Sequence, residues 1–153
     1  KSPDILEKGS IFGTQAVKSK KELINFAVDL NIYKGKKLLF ENRFPIAWCL
    51  FNHVDIVLSH QQDIGLNYLY FDAAWLGFPV VHNAEFLKGL AWYYDRYDVD
   101  EAVKHLQYVI ENFDKDEKAQ QKYIEDSRQY ISQFLPENDK NVSGYRQLIE
   151  KLF

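Results

Sequence analysis

Two short apolar runs, "VDIVLS" at 54–59 and "PVVH" at 79–82, bracket a segment of helical period, and that order constrains the fold more than any other feature. Both runs are β-branched and lack clean alternation, as strands buried on both faces of a parallel sheet do. Between them, residues 65–76 form an expected helix with Leu66, Leu69, Tyr70, Ala73, Ala74 and Leu76 among its apolar members. Gly77 suits the left-handed position after a helix, and Pro79 enforces the stop.

The remaining chain extends this pattern. The first fifteen residues, with Pro3, Gly9 and Gly13, carry mostly loop signals. From about Lys20, Leu23, Ile24, Phe26, Ala27 and Leu30 follow helical spacing, with Ser19 as candidate cap and Glu22 three residues on. Asn31–Lys37 reads as a turn, Lys37–Glu41 as a short strand, and Pro45 as the start of a helix reaching about Phe51. Beyond Asn83 the pattern predicts helices over about 84–94, 99–112, 116–134 and 143–152. Asp98 is the expected cap of the second, and Tyr123, Ile124, Tyr130, Ile131 and Phe134 form a narrow apolar seam on the third. Alternating strands and helices followed by several helices predict an α/β fold: a Rossmann-like parallel sheet flanked by helices, with a helical tail from about 116. The expectation is a single domain over 1–153, large enough for a real core.

Composition narrows the function classes. The chain is 46% apolar and 16% aromatic, well outside the range of disordered chains. A net charge of -3 without a dense Lys/Arg cluster argues against duplex nucleic acid as a partner. The longest apolar run, Pro45 to Phe51, is far too short to span a bilayer, so no transmembrane segment is expected. One cysteine, Cys49, allows no internal disulfide and fits a reducing, cytoplasmic setting. There is no Met, not even at position 1, so the expectation is either a processed protein or, as the favoured reading, a piece of something longer.

In parallel sheets ligands bind beyond the carboxyl ends of the strands, near helix N-termini. Glu41-Asn42-Arg43, Ser59-His60-Gln61 and His82-Asn83 all fall at such ends. The helix opening near Gly65 offers unpaired N–H groups suited to phosphate, with Asn67 and Tyr68 as added donors and His60 just before. A glycine there also fits a plain turn. Asp72 is read either as a solvent-facing residue or as a carboxylate accepting from both hydroxyls of a ribose. His82-Asn83 is either a loop with an Asn cap or a pair facing a bound sugar. No Asp-x-Asp, paired-His or Cys pattern is present, and neither a metal nor a cofactor is expected.

The segment "NYLYFDAAWLGFPVVHN" resembles the donor-binding segment in the C-terminal half of two-domain, GT-B type glycosyltransferases, where an acid and small residues precede Gly-x-Pro and a buried valine pair. "SHQQDIGLNYLYFDAAWLGFPVVHN" with "WYYDRYDVDEA" is similar to a bacterial family described only as glycosyltransferase-like, over roughly 28–106. The resemblance implies transfer of a sugar from a UDP- or GDP-linked nucleotide-diphosphate sugar to an unknown acceptor, without a metal. It assigns the diphosphate to His60 and the Gly65-Leu66-Asn67-Tyr68 turn, and the ribose to Asp72. It assigns the sugar to His82 and Asn83, and the base or phosphates to Arg43. Many relatives carry Glu where this chain has Asp72. The acceptor-side base would come from a missing N-terminal domain, so no catalytic residue is named and this chain alone is expected to be inactive. Two alternatives stand beside it: a nucleotide-sugar epimerase half, and a non-catalytic interaction module using the polar 116–152 tail and aromatics expected to be exposed, such as Trp92, Tyr93 and Tyr94.

Overall fold

The computed structural model describes residues 5–62 and 67–153, and the chain divides into two compact units, 1–52 and 53–153. The architecture is mixed α/β, with two small parallel sheets flanked by helices.

In the first unit, β1 (Gly9–Ile11) pairs in parallel with β2 (Leu38–Phe40), Gly9 opposite Leu38 and Ile11 opposite Phe40. The crossover holds α1 (Lys21–Ala27) and α2 (Asn31–Lys34), and α3 (Ile46–His53) follows, with Cys49 and Leu50 buried. Three expectations change here. The N-terminal loop contains a strand, because β1 gains its ladder from a distant segment. Asn31–Lys34 closes a helical turn before Lys36 enters the left-handed region at φ 57. Lys20, not Ser19, occupies the cap position of α1, with no side-chain bond.

The second unit holds β3 (Val57–Ser59), α4 (Tyr68–Trp75), β4 (Val80–His82), β5 (Trp92–Tyr93), α5 (Val99–Asn112), α6 (Glu117–Ser132) and α7 (Asp139–Glu150). Its sheet runs in the order β3-β4-β5, all parallel, with Ser59 opposite His82 and His82 opposite Tyr93. Successive side chains point to opposite faces, and the contacts assign them. His82 stacks on Tyr70 of α4 with ring centroids 4.9 Å apart, whereas Val81 packs with Val109 of α5. Helices therefore cover both faces of the central strand, and Val80, Val81 and His82 are all fully buried.

β3 is different. It is an edge strand, and Leu58, on the same face as Val81, is 57% exposed. The both-faces-buried pattern thus describes β4 but not β3. The expected helix over 84–94 is also absent. Glu85–Leu87 makes one 3-10 turn, and the chain returns as β5. The spacing of Phe86, Leu87 and Leu90 imitates a helix, but Gly89 lies against Tyr130 of α6, where an added Cβ would sit 2.5 Å from the ring. Close approach of backbone to that ring requires glycine and an irregular path.

α5 coincides with the expected 99–112, its N-terminus capped by Asp98, which accepts from the Glu101 N–H at 2.9 Å. α6 is bound to the edge where the strands begin. The Tyr123 hydroxyl donates to the Phe78 carbonyl at 2.9 Å, and Arg128 donates to the Trp75 carbonyl at 3.1 Å while lying over the Trp75 ring. Ile124 fills the space beside Gly77 (φ 91), and Phe134 packs on Phe71 and Phe86. The expected seam is in contact along its length, and the opposite sheet edge is left for the strand ends. Among the described residues no helix is long and apolar enough to cross a membrane.

Candidate functional site

Parallel pairing places the carboxyl ends of β3, β4 and β5 at one edge, so Ser59-His60-Gln61, His82-Asn83 and Tyr94-Asp95-Arg96-Tyr97 are neighbours there. The third polar end is not the expected one. Glu41-Asn42-Arg43 follows β2, which pairs with β1 in the other sheet. Arg43 is exposed in its own unit, and among the described residues the strand before it belongs to the β1-β2 sheet.

On the α4 face, the Ser59 hydroxyl and the Tyr70 hydroxyl lie 2.8 Å apart. Burial holds the Tyr70 phenol above its ordinary range, with the Ser59 bond opposing. His82 shares this face and has no free ring nitrogen. Nε2 donates to the Leu90 carbonyl at 2.8 Å, and Nδ1 accepts from the Ala84 N–H at 3.2 Å. Burial pushes its pKa down, the Leu90 bond opposing, and the ring is neutral with its hydrogen on Nε2. The expectation that His82 faces a sugar is overturned: at 0% exposure it braces the crossover between β4 and β5.

Asn83 is also a brace. Its Oδ1 accepts from the Gln61 N–H at 2.8 Å, and its Nδ2 donates to the Gln61 carbonyl at 2.9 Å and the Arg96 carbonyl at 3.1 Å. The side-chain amide acts as one more peptide in the ladder, tying the loop after β3 to the loop after β5. Arg96 is held in the left-handed region at φ 36, a conformation a non-glycine residue keeps only when its surroundings impose it. Asn83 at 9% exposure therefore offers no free amide hydrogen to a ligand.

On the α5 face, His60 is exposed and its Nδ1 lies 3.1 Å from the Tyr94 hydroxyl, with Tyr97 packed on its ring at 5.4 Å. Tyr94 reaches back to the Ser59 carbonyl at 3.0 Å. Tyr93, on the α4 face beside His82, donates to Asp95 at 2.9 Å; burial and then that carboxylate push its phenol up to about 12.

Asn67 caps α4, its Oδ1 accepting from the Leu69 N–H at 3.0 Å, and Tyr68 beside it is 71% exposed. Gly65 and Leu66 lie outside the described residues. Asp72 lies on the exposed face of α4, about a turn beyond the cap, and its carboxylate has no partner among the described residues. The edge thus gathers His60, Asn67 and Tyr68, holds Asp72 a turn away, and takes His82 and Asn83 into the scaffold. Tyr70, Tyr94 and Arg96 were missed by the sequence reading. The signal available for them was the aromatic run 92–94 before "DRYD", which is strand followed by turn. A trough along the solvent face of α6, lined by Glu117, Lys118, Gln121, Lys122, Glu125 and Asp126, belongs to one helix of mixed charge and lies away from this edge. Among the described residues no three His, Cys, Asp or Glu side chains gather as metal ligands would.

Comparison with curated proteins and with solved structures returned no match. A family model does match, over residues 1–149, and the chain belongs to that family, described as "Protein of unknown function (DUF2827)".

Proposed function

We propose that the chain is the donor-binding half of a GT-B type glycosyltransferase, holding a UDP- or GDP-linked sugar for transfer to an acceptor bound by a second domain. The observation that carries the reading is the edge where β3, β4 and β5 end together: the exposed imidazole of His60, the N-terminus of α4 at Asn67-Tyr68, and Arg96. Parallel α/β sheets bind ligands at such edges. The helix start and Arg96 supply N–H groups and positive charge for a leaving diphosphate, whose charge grows in the transition state. Asp72, exposed about a turn along α4 and without a partner among the described residues, is the group for the ribose diol. The braced scaffold beneath, with Asn83 fixing both flanking loops, gives these groups fixed positions.

The test is calorimetric titration of the full-length protein with UDP, GDP and their hexose conjugates, repeated with Asp72→Ala. Binding that weakens at least tenfold in the variant supports the reading, as loss of two charge-assisted hydrogen bonds would require. No binding at millimolar ligand overturns it. A second reading, a non-catalytic interaction module, is favoured by α7, whose Tyr145, Leu148 and Ile149 are 65%, 59% and 57% exposed. It predicts that the full-length protein binds no nucleotide.

A further inference from the structure

Counting hydrogens around Tyr94 determines what His60 offers to a ligand. The Tyr94 hydroxyl lies 3.0 Å from the Ser59 carbonyl oxygen and 3.1 Å from His60 Nδ1. A carbonyl oxygen only accepts, so the one phenolic hydrogen goes to Ser59. The phenol oxygen then has only lone pairs left for the imidazole. Nδ1 must therefore carry a hydrogen and donate it. In the neutral ring this leaves Nε2 as a bare acceptor. Nε2 has no partner among the described residues, and His60 is exposed.

The elements that impose this are rigid. Tyr94 is 3% exposed and packs with Val81 and Val109. Burial, and then the neighbouring Tyr70, raise its phenol pKa, so the hydrogen stays in place wherever the imidazole is neutral. Ser59 is fixed by the ladder to His82 and by its hydroxyl contact with Tyr70, itself 0% exposed. The His60 and Tyr94 rings lie within 22° of parallel, and Tyr97 packs on His60 as well.

We propose that Tyr94 is a positioning residue that locks His60 in the Nδ1–H tautomer, so that Nε2 accepts a hydrogen bond from a hydroxyl of the donor sugar. This rests on the donor-binding reading and deepens it. It also reverses the role that the resemblance gives to His60. Diphosphate oxygens carry only lone pairs at neutral pH and repel a bare ring nitrogen, whereas a sugar hydroxyl supplies the missing hydrogen. His60 thus distinguishes the hexose conjugate from the free nucleotide.

Two measurements at pH 8, both on the full-length protein, test it. The first is long-range proton–nitrogen NMR of the imidazole, with the His60 signals identified by their loss in His60→Gln. The expected result is a protonated Nδ1 and an unprotonated Nε2, and a shift toward the Nε2–H form in Tyr94→Phe, which keeps the buried ring. A wild-type ring with its hydrogen on Nε2 overturns the lock, whatever the protein binds. The second is calorimetry with UDP or GDP and the matching hexose conjugates. His60→Gln is expected to weaken the hexose conjugate roughly threefold to tenfold, the worth of one hydrogen bond, and to leave the free nucleotide within about twofold. Equal weakening of both puts His60 on the nucleotide and overturns the sugar contact. Absence of nucleotide binding by the wild type overturns the donor reading and the sugar contact together, and the NMR result then judges the tautomer lock by itself.

Discussion

Asn83→Asp is nearly isosteric, yet it inverts what the side chain presents to its neighbours. Wild-type Oδ1 accepts from the Gln61 N–H at 2.8 Å, and aspartate retains that bond. The Nδ2 group donates to two carbonyls, of Gln61 at 2.9 Å and Arg96 at 3.1 Å. In the variant a carboxylate oxygen faces both carbonyls. Two hydrogen bonds are lost at about 1 kcal/mol each, and a charge is held against acceptors where water reaches little of it, adding about 1–2 kcal/mol. The expected loss is about 3–4 kcal/mol at neutral pH. Asn83→Ala, which loses three bonds but adds no charge, should cost about 2–3 kcal/mol. Urea unfolding measures both. With a slope of about 2 kcal/mol/M for a protein of this size, the Asp variant's midpoint falls by about 1.5–2 M. The pH dependence adds a second reading. The introduced carboxyl has a folded pKa raised above its unfolded value near 4, so its ionisation penalty vanishes at low pH and grows as pH rises. The gap between variant and wild type should therefore narrow toward pH 4. A gap under about 0.5 kcal/mol across pH 5–8 would refute the clamp and return Asn83 to the list of ligand contacts.

His82 carries a stability signature of opposite slope. Its folded pKa is lowered, so its contribution is complete above the unfolded imidazole value of about 6.5 and is lost as pH falls below it, when only the unfolded chain takes the proton. Chemical denaturation between pH 8 and 5 should show that decline in the wild type and a shallower one in His82→Gln; equal slopes would refute the neutral, doubly bonded ring. Gly77→Ala must place a Cβ at φ 91 and 3.1 Å from Ile124. It should lose about 2–3 kcal/mol, with only the steric part of that coupling recovered when Ile124 is cut to Ala, which removes both Cγ1 and Cδ1. Gly89→Ala meets the Tyr130 ring at 2.5 Å. A double-mutant cycle with Tyr130→Ala should show a coupling of at least about 1 kcal/mol, whereas additive losses would mean the loop and α6 are not packed as described.

Local signals read well where the chain supplies its own evidence. α5 and α6 combine a helical period with Asp98 and Asp116 as caps, and both elements formed close to the expected bounds. β4 is the short segment Val80-Val81-His82, set off from the preceding helix by Gly77 and Pro79, and it is the buried central strand. The elements that escaped are those whose existence depends on a distant partner. β1 is three residues long and β5 two, neither alternates, and each is a strand only because β2 or β4 lies beside it. Membership of a sheet is equally non-local. β2 has the composition to extend the β3-β4 sheet, and it pairs with β1 instead.

The candidate site repeats this division. The carboxyl ends of parallel strands are legible in the sequence, and His60 was placed at this edge that way; Asn67, expected as a donor within a helix opening near Gly65, is instead the cap of a helix that starts at Tyr68. What the sequence could not separate is which polar strand ends face outward. β4 is central, so the residues after it lie between two loops whose backbone groups need partners. His82 and Asn83 supply them, and their nitrogens and oxygen are fully engaged. Among the described residues β3 has a neighbouring strand on one side, and the imidazole after it makes one bond and keeps one ring nitrogen without a partner. A buried polar group must be satisfied from within. The end of a central strand is thus drawn into bracing the loops, and the end of an edge strand is free to meet a ligand. By that reasoning an imidazole at position 60 is the better recognition group than one at position 82, although the two look alike along the chain.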